Sequence, residues 1–147
     1  MQRSPPMELR PFGTLTIETD PDGLFMLGTT SVGQRIIQEF KSVHLQSERV
    51  NGTMTGKSGA DWLTLDGEGH ATVDIRVLIL TDDGAHVFVT LTGIALWPER
   101  IGLGPIYSSV RLESGDERYR WVNHLPLVSK GEITEGRAVA HRFFELS

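Results

Sequence analysis

The chain has 147 residues, no cysteine, an apolar fraction of 39%, a charged fraction of 22% and a formal charge of −5. That length and composition suit one globular domain with a real core, and they exclude disulfide scaffolds, thiolate metal sites and thiol catalysis. The acidic balance, with no run of Lys and Arg, gives no general attraction to nucleic acid or to anionic membranes.

Residues 1–12 lack the apolar stretch of a signal peptide and are expected to form a flexible N-terminal segment ahead of a single domain, 13–147. No stretch is long and apolar enough to span a bilayer, and a cysteine-free chain without a leader points to the cytoplasm. From there turn signals recur: Asp20-Pro21-Asp22-Gly23, Asn51-Gly52, Asp66-Gly67-Glu68-Gly69, Asp82-Asp83-Gly84, Ser114-Gly115-Asp116 and Glu135-Gly136. Each joins Gly, which tolerates positive φ, to Asp or Asn, which can bond its own backbone. Between them lie alternating, β-branched segments: Leu15–Thr19, Leu24–Thr29, Arg35–Glu48, Trp62–Leu65, Ala71–Leu80, His86–Trp97, Ser108–Glu113, Leu125–Ile133 and Ala138–Leu146. Short strands joined by tight turns predict an all-β sandwich or barrel, with a helical turn or two over Asp116–Val122, where Gly and Pro are absent.

His44 is the one histidine of the five considered for acid–base work or ligand contact, because Gln46 and Glu48 follow at strand spacing. Asn51-Gly52-Thr53 matches a glycosylation acceptor and is read as a turn. Asp61-Trp62 begins a strand after a Gly-rich approach. There a carboxylate beside a large ring would suit a barrel mouth, Asp61 as base and Trp62 as stacking platform. The alternative is a turn cap and a core plug.

The segment Ala71–Trp97 predicts a hairpin. A three-residue loop, Asp82-Asp83-Gly84 with Gly84 left-handed, sets Ile79 opposite Val87, Val77 opposite Val89 and Ile75 opposite Leu91. The other face then pairs Leu78 with Phe88, Arg76 with Thr90 and Asp74 with Thr92. A polar middle with apolar ends resembles a ligand cavity, so this face is expected to look inward. Arg76 would anchor a ligand oxygen, oriented by Asp74 and assisted by Thr90 and Thr92. An exposed Asp74–Arg76 pair is the competing account. Tyr119, Trp121 and Asn123 offer polar tips for a ligand, or else form a lid that closes the barrel end, with Asn123 satisfying loop backbone. No HExxH or facial-triad spacing, dinucleotide fingerprint or nucleophile elbow is present, so no metal or cofactor is expected.

The ordered set Gly59-Ala60-Asp61-Trp62, Asp74-Ile75-Arg76, Thr81-Asp82-Asp83-Gly84-Ala85 and Tyr119-Arg120-Trp121-Val122-Asn123 resembles domain-of-unknown-function family 3237, from about Gly13 to the C-terminus. The resemblance implies a lipocalin-like antiparallel barrel that self-associates as a homo-oligomer, with no settled activity. Two departures would imply a ligand preference different from that of relatives if those positions line the cavity. Val43–Glu48 stands where the family carries glycines, and Val77 stands where it carries an aromatic. Two functions are expected from these observations. One is a cofactor-free isomerase, cyclase or lactone hydrolase acting on a small cyclic or aromatic metabolite, with Asp61 and Arg76 catalytic. The other is a carrier barrel that does no chemistry.

Overall fold

A computed structural model describes residues 3–134 and 138–147, so the turn expected at Glu135-Gly136 lies outside the described residues. The strands are β1 (Leu9–Thr30), β2 (Gly33–Ser47), β3 (Gly52–Met54), β4 (Ala60–Leu65), β5 (His70–Thr81), β6 (His86–Leu96), β7 (Ile106–Glu113), β8 (Leu127–Ile133) and β9 (Ala138–Leu146). A 3₁₀ helix, Glu117–His124, separates β7 from β8. Neighbours are antiparallel in the order β1-β9-β8-β7-β6-β5, and β3 and β4 together bridge β5 to β2. Because β1 also pairs with β2, the sheet closes on itself as an all-β barrel. Closure satisfies the backbone of nearly every strand. One stretch stands apart: among the described residues, Leu24–Thr30 of β1 pairs with β2 and with no strand on its other side.

The hairpin register is as the alternation predicts, with Ile79 opposite Val87, Ile75 opposite Leu91 and Arg76 opposite Thr90. Gly84 has a φ of +90°, which the three-residue loop requires. Two boundaries differ from expectation. The first strand starts at Leu9, opposite Leu146, ahead of the boundary expected at residue 13. Asp20-Pro21-Asp22-Gly23 does not reverse the chain either. It forms a bulge within β1, between Thr19 opposite Phe40 and Leu24 opposite Gln38. The Asp22 N–H bonds back to the Asp20 side chain at 2.9 Å, and Gln38 Nε2 donates to the Asp20 carbonyl at 2.8 Å. Those bonds absorb the local preference for a turn inside a strand.

The inward face of the hairpin is the opposite of the one expected. Val73, Ile75, Val77 and Ile79 of β5 and Val87, Val89 and Leu91 of β6 are buried, while Arg76 and Thr92 are exposed. The unbroken β-branched face has more apolar area to remove from water, and that area decides. Leu80, Ile94 and Leu96 are 40–54% exposed on the outside, as scattered apolar residues commonly are.

The larger core cluster, which includes Leu15, Leu45, Val89, Leu112 and Phe143, fills one end of the barrel. The 3₁₀ helix closes that end, burying Tyr119 and Val122. Its first turn is held by Asp116, whose side chain accepts from the Arg118 N–H at 2.9 Å. Among the described residues, no helix is long and apolar enough to cross a membrane.

Candidate functional site

The other end of the barrel is hollow. A cavity of about 380 Å³ lies inside the sheet, walled by Ile17, Ile36, Leu63, Ile75, Ile106 and Val139, with Leu24, Met26, Ile101 and Ile133 at its mouth. That volume lies in the range of small-molecule pockets, and the walls are almost wholly apolar. Four polar side chains interrupt them: Thr19, Gln38, Asp61 and His141.

Asp61 reaches the cavity because strand alternation sends Asp61 and Leu63 inward and Trp62 outward. It sits opposite Gln38 on one side and Ile75 on the other, and is only 8% exposed. Its Oδ1 accepts from the Asp74 N–H at 3.0 Å. Burial pushes its carboxyl up to about 7; the Asp74 N–H bond pulls the other way, and the nearby Asp74 carboxylate adds to the rise. The group therefore exchanges a proton near neutral pH while held in a fixed orientation, as a general acid or base needs.

His141 is on β9, inward with Phe143, and is 1% exposed. Gly131 across the ladder makes room for it: a Cβ at that position would lie 2.5 Å from Nδ1. Burial pushes the imidazole down to about 4, so the ring is neutral at physiological pH. Among the described residues its enclosed Nδ1 has no hydrogen-bond partner, and neither have the buried hydroxyls of Ser108 and Ser129, which face each other across β7 and β8. Trp97, also on the cavity wall, has an enclosed Nε1 with no partner among the described residues. Gln38, by contrast, has its Nε2 bonded to the Asp20 and Glu39 carbonyls and so braces the β1 bulge.

Of the residues singled out from sequence, only Asp61 lines this cavity. Arg76 points outward, its Nη2 3.0 Å from Asp74 Oδ2 and its guanidinium 5.5 Å from the centre of the Trp62 ring. Trp62, Asp74, Thr90 and Thr92 share that outer face because they have the parity of Arg76 or lie across from it. His44 is exposed on β2, opposite Thr16 and Thr53. Tyr119, Trp121 and Asn123 belong to the closed end. The Tyr119 hydroxyl donates to the Asp83 carboxylate at 2.9 Å, and Trp121 Nε1 donates to the Arg118 carbonyl at 3.0 Å. Asn123 bonds both the N–H and the carbonyl of Ser114, so the segment forms the lid over the barrel end, with Asn123 satisfying loop backbone. His141 was not singled out, yet Val139-His141-Phe143 alternating with Ala140-Arg142-Phe144 marks it as inward. Among the described residues, no three His, Asp or Glu side chains gather as a metal site would need.

Three solved structures share the whole fold. A β-barrel-like protein from Acinetobacter baumannii is 24% identical with a TM-score of 0.83, each chain covered in full. A protein of unknown function from Clostridium acetobutylicum is 20% identical with a TM-score of 0.84, covering 99% of this chain and 100% of that one. An enzyme from Penicillium herquei is 18% identical with a TM-score of 0.72, covering 100% of this chain and 99% of that one. Comparison with curated proteins finds no significant match. The family model described as protein of unknown function (DUF3237) matches residues 7–146, nearly the entire closed barrel with its cavity and cap, and the chain belongs to that family.

Proposed function

We propose that the barrel binds a small cyclic or aromatic metabolite in its hollow end and acts on it by cofactor-free proton transfer, with Asp61 as the general base and acid. The observation that carries this reading is one oriented carboxyl group buried in an otherwise apolar wall. Such a group is costly to keep in a fold that only needs packing, and perturbed carboxyls in cavities concentrate at reacting sites. No Ser, Cys or Lys lines the cavity among the described residues, which disfavours an acyl-enzyme or Schiff base. Isomerisation or cyclisation through an enolate fits, and lactone hydrolysis would run through a water activated by Asp61. A non-catalytic carrier is the second reading, favoured by the apolar mouth. A cysteine-free chain suits a reducing cytoplasm.

The test is deuterium incorporation from D₂O into a panel of cyclic ketones and lactones, followed by NMR. The wild-type protein is expected to exchange at least one member, faster above pH 7 than below it. Asp61→Asn should cut that rate by about 10²- to 10⁴-fold, while Arg76→Ala, on the outer face, should leave it unchanged. If no member exchanges, or the Asn variant exchanges equally well, the catalytic reading fails. A ligand retained in native mass spectrometry would then favour the carrier.

A further inference from the structure

The charge inventory of the cavity restricts what can enter it. Among the described residues no Lys or Arg reaches the wall, and Asp61 is the one acidic group there. A carboxylate or phosphate ligand would lose its hydration and find no cation, only the negative end of Asp61. A cationic ligand would pair with Asp61 and so occupy the base that the proposed reaction uses.

His141 supplies the second constraint. The Nδ1–Cε1 edge of its ring packs over Gly131, since a Cβ there would lie 2.5 Å from Nδ1 and 2.6 Å from Cε1. The opposite edge, with Nε2, is therefore the one able to address the cavity that His141 lines. A proton on Nδ1 would be a buried N–H with no acceptor, a rarer defect than an unfilled lone pair. The proton thus belongs on Nε2, and the neutral ring presents a donor to the hollow. Asp61 on β4 and His141 on β9 stand three strands apart around the ring, through β2 and β1, so a ligand between them meets a base on one wall and a donor on another.

Resting on the reading of Asp61 as the base, we propose that the substrate is a neutral carbonyl compound, a cyclic ketone or lactone, whose oxygen accepts from His141 Nε2–H while its acidic C–H faces Asp61. In the step, the Asp61 carboxylate takes the proton, the C–H pair moves into the C–C bond, and the carbonyl π pair moves onto oxygen. His141 stabilises that enolate oxygen as a neutral donor, and Asp61 returns the proton to carbon. Nothing is oxidised and no co-reactant is needed. A neutral imidazole can serve in this way without becoming charged.

Four shape-matched probes test the assignment by NMR titration: 2-tetralone, tetralin, 2-naphthoate and 2-aminotetralin. The ketone is expected to bind about tenfold more tightly than tetralin, one good buried hydrogen bond, and naphthoate more weakly than tetralin. His141→Phe should bind tetralin normally and lose the preference for the ketone; His141→Gln, which keeps a donor, should retain part of it. Tighter binding of naphthoate or aminotetralin than of the ketone overturns the substrate class. So does a ketone preference that survives in His141→Phe, or absence of binding by all four. Should His141→Phe fail to fold, the wild-type ranking decides the class and the Gln variant decides the role. Asp61→Asn should keep the ketone preference while losing exchange. A correct ranking with undiminished exchange in that variant would sink the proton-transfer reading alone.

Discussion

The main-chain N–H of Asp74 donates to Oδ1 of Asp61 at 3.0 Å, beside a gap in the β4–β5 ladder where Trp62 and Leu63 have no registered partners. A side-chain oxygen stands in for a backbone acceptor, which fixes the carboxyl against the strand that also forms the cavity wall. The arrangement has a thermodynamic signature of its own.

Asp61 binds its proton more tightly folded, at about 7, than its ordinary 3.8. Through that window the native state holds a proton that the unfolded state has lost, so stability falls as pH rises, by roughly 4 kcal/mol in all. His141 works oppositely. Its folded value of about 4 lies below the ordinary 6.5, so stability rises through that interval, by roughly 3 kcal/mol. The two slopes nearly cancel between about pH 4 and 6.5, leaving the Asp61 loss visible just above. Asp61→Asn is therefore expected to be more stable than wild type at about pH 8, to match it near pH 4, and to show the rising His141 limb between. Urea denaturation across pH measures this; parallel curves for the two proteins would refute it.

Tyr119 ties the cap helix to the turn of the long hairpin. Its hydroxyl lies 2.9 Å from both Asp83 oxygens, and the same carboxylate accepts from the Thr81 hydroxyl at 2.6 Å. These hydrogen bonds, from Thr81 first, hold the Asp83 carboxyl below the usual range. Tyr119→Phe should lower stability by about 1–2 kcal/mol, without altering ligand binding at the far end. Chemical denaturation and tetralin titration of the variant report the two effects; a loss of ligand affinity would show that the ends of the barrel are coupled.

Among the described residues the Leu24–Thr30 edge has no neighbouring strand, an edge that a second copy of the chain would cover. Phe25 and Leu27 are 50% and 56% exposed, and residues 23–34 carry no charge. Two-fold pairing of a strand with its own copy sets like residues across from each other, which an uncharged segment tolerates. The chain is thus expected to self-associate through this hairpin, beside the cavity mouth formed by Leu24 and Met26. Light scattering should give a multimer for wild type and a monomer for Phe25→Lys with Leu27→Lys. A monomeric wild type at high concentration would end the idea.

Much of the barrel was legible because its causes are local. Period-two alternation and the Asp82-Asp83-Gly84 loop specify the β5–β6 register, and the Gly- and Pro-free run after Asp116 specifies a helical turn. The Asp20–Gly23 signal misled because a turn sequence and a bulge sequence use the same residues, and only Gln38 reaching across to the Asp20 carbonyl distinguishes them. Asp61 was visible as a carboxylate at a strand start. His141 was overlooked although its parity was readable, since parity alone does not say that a glycine opposite leaves the ring a place to lie.

The β5–β6 register and the antiparallel all-β class follow from the order of residues alone, because hydrogen-bonded alternation and turn geometry act over a few positions. Which face of the central hairpin turned inward was decided only when the ring closed. Both faces carry apolar side chains, and the selection is made by the total area that all the strands together can bury. That global choice put Arg76 in water and left Asp61 and His141, eighty residues apart in the chain, as the titratable groups of one apolar hollow.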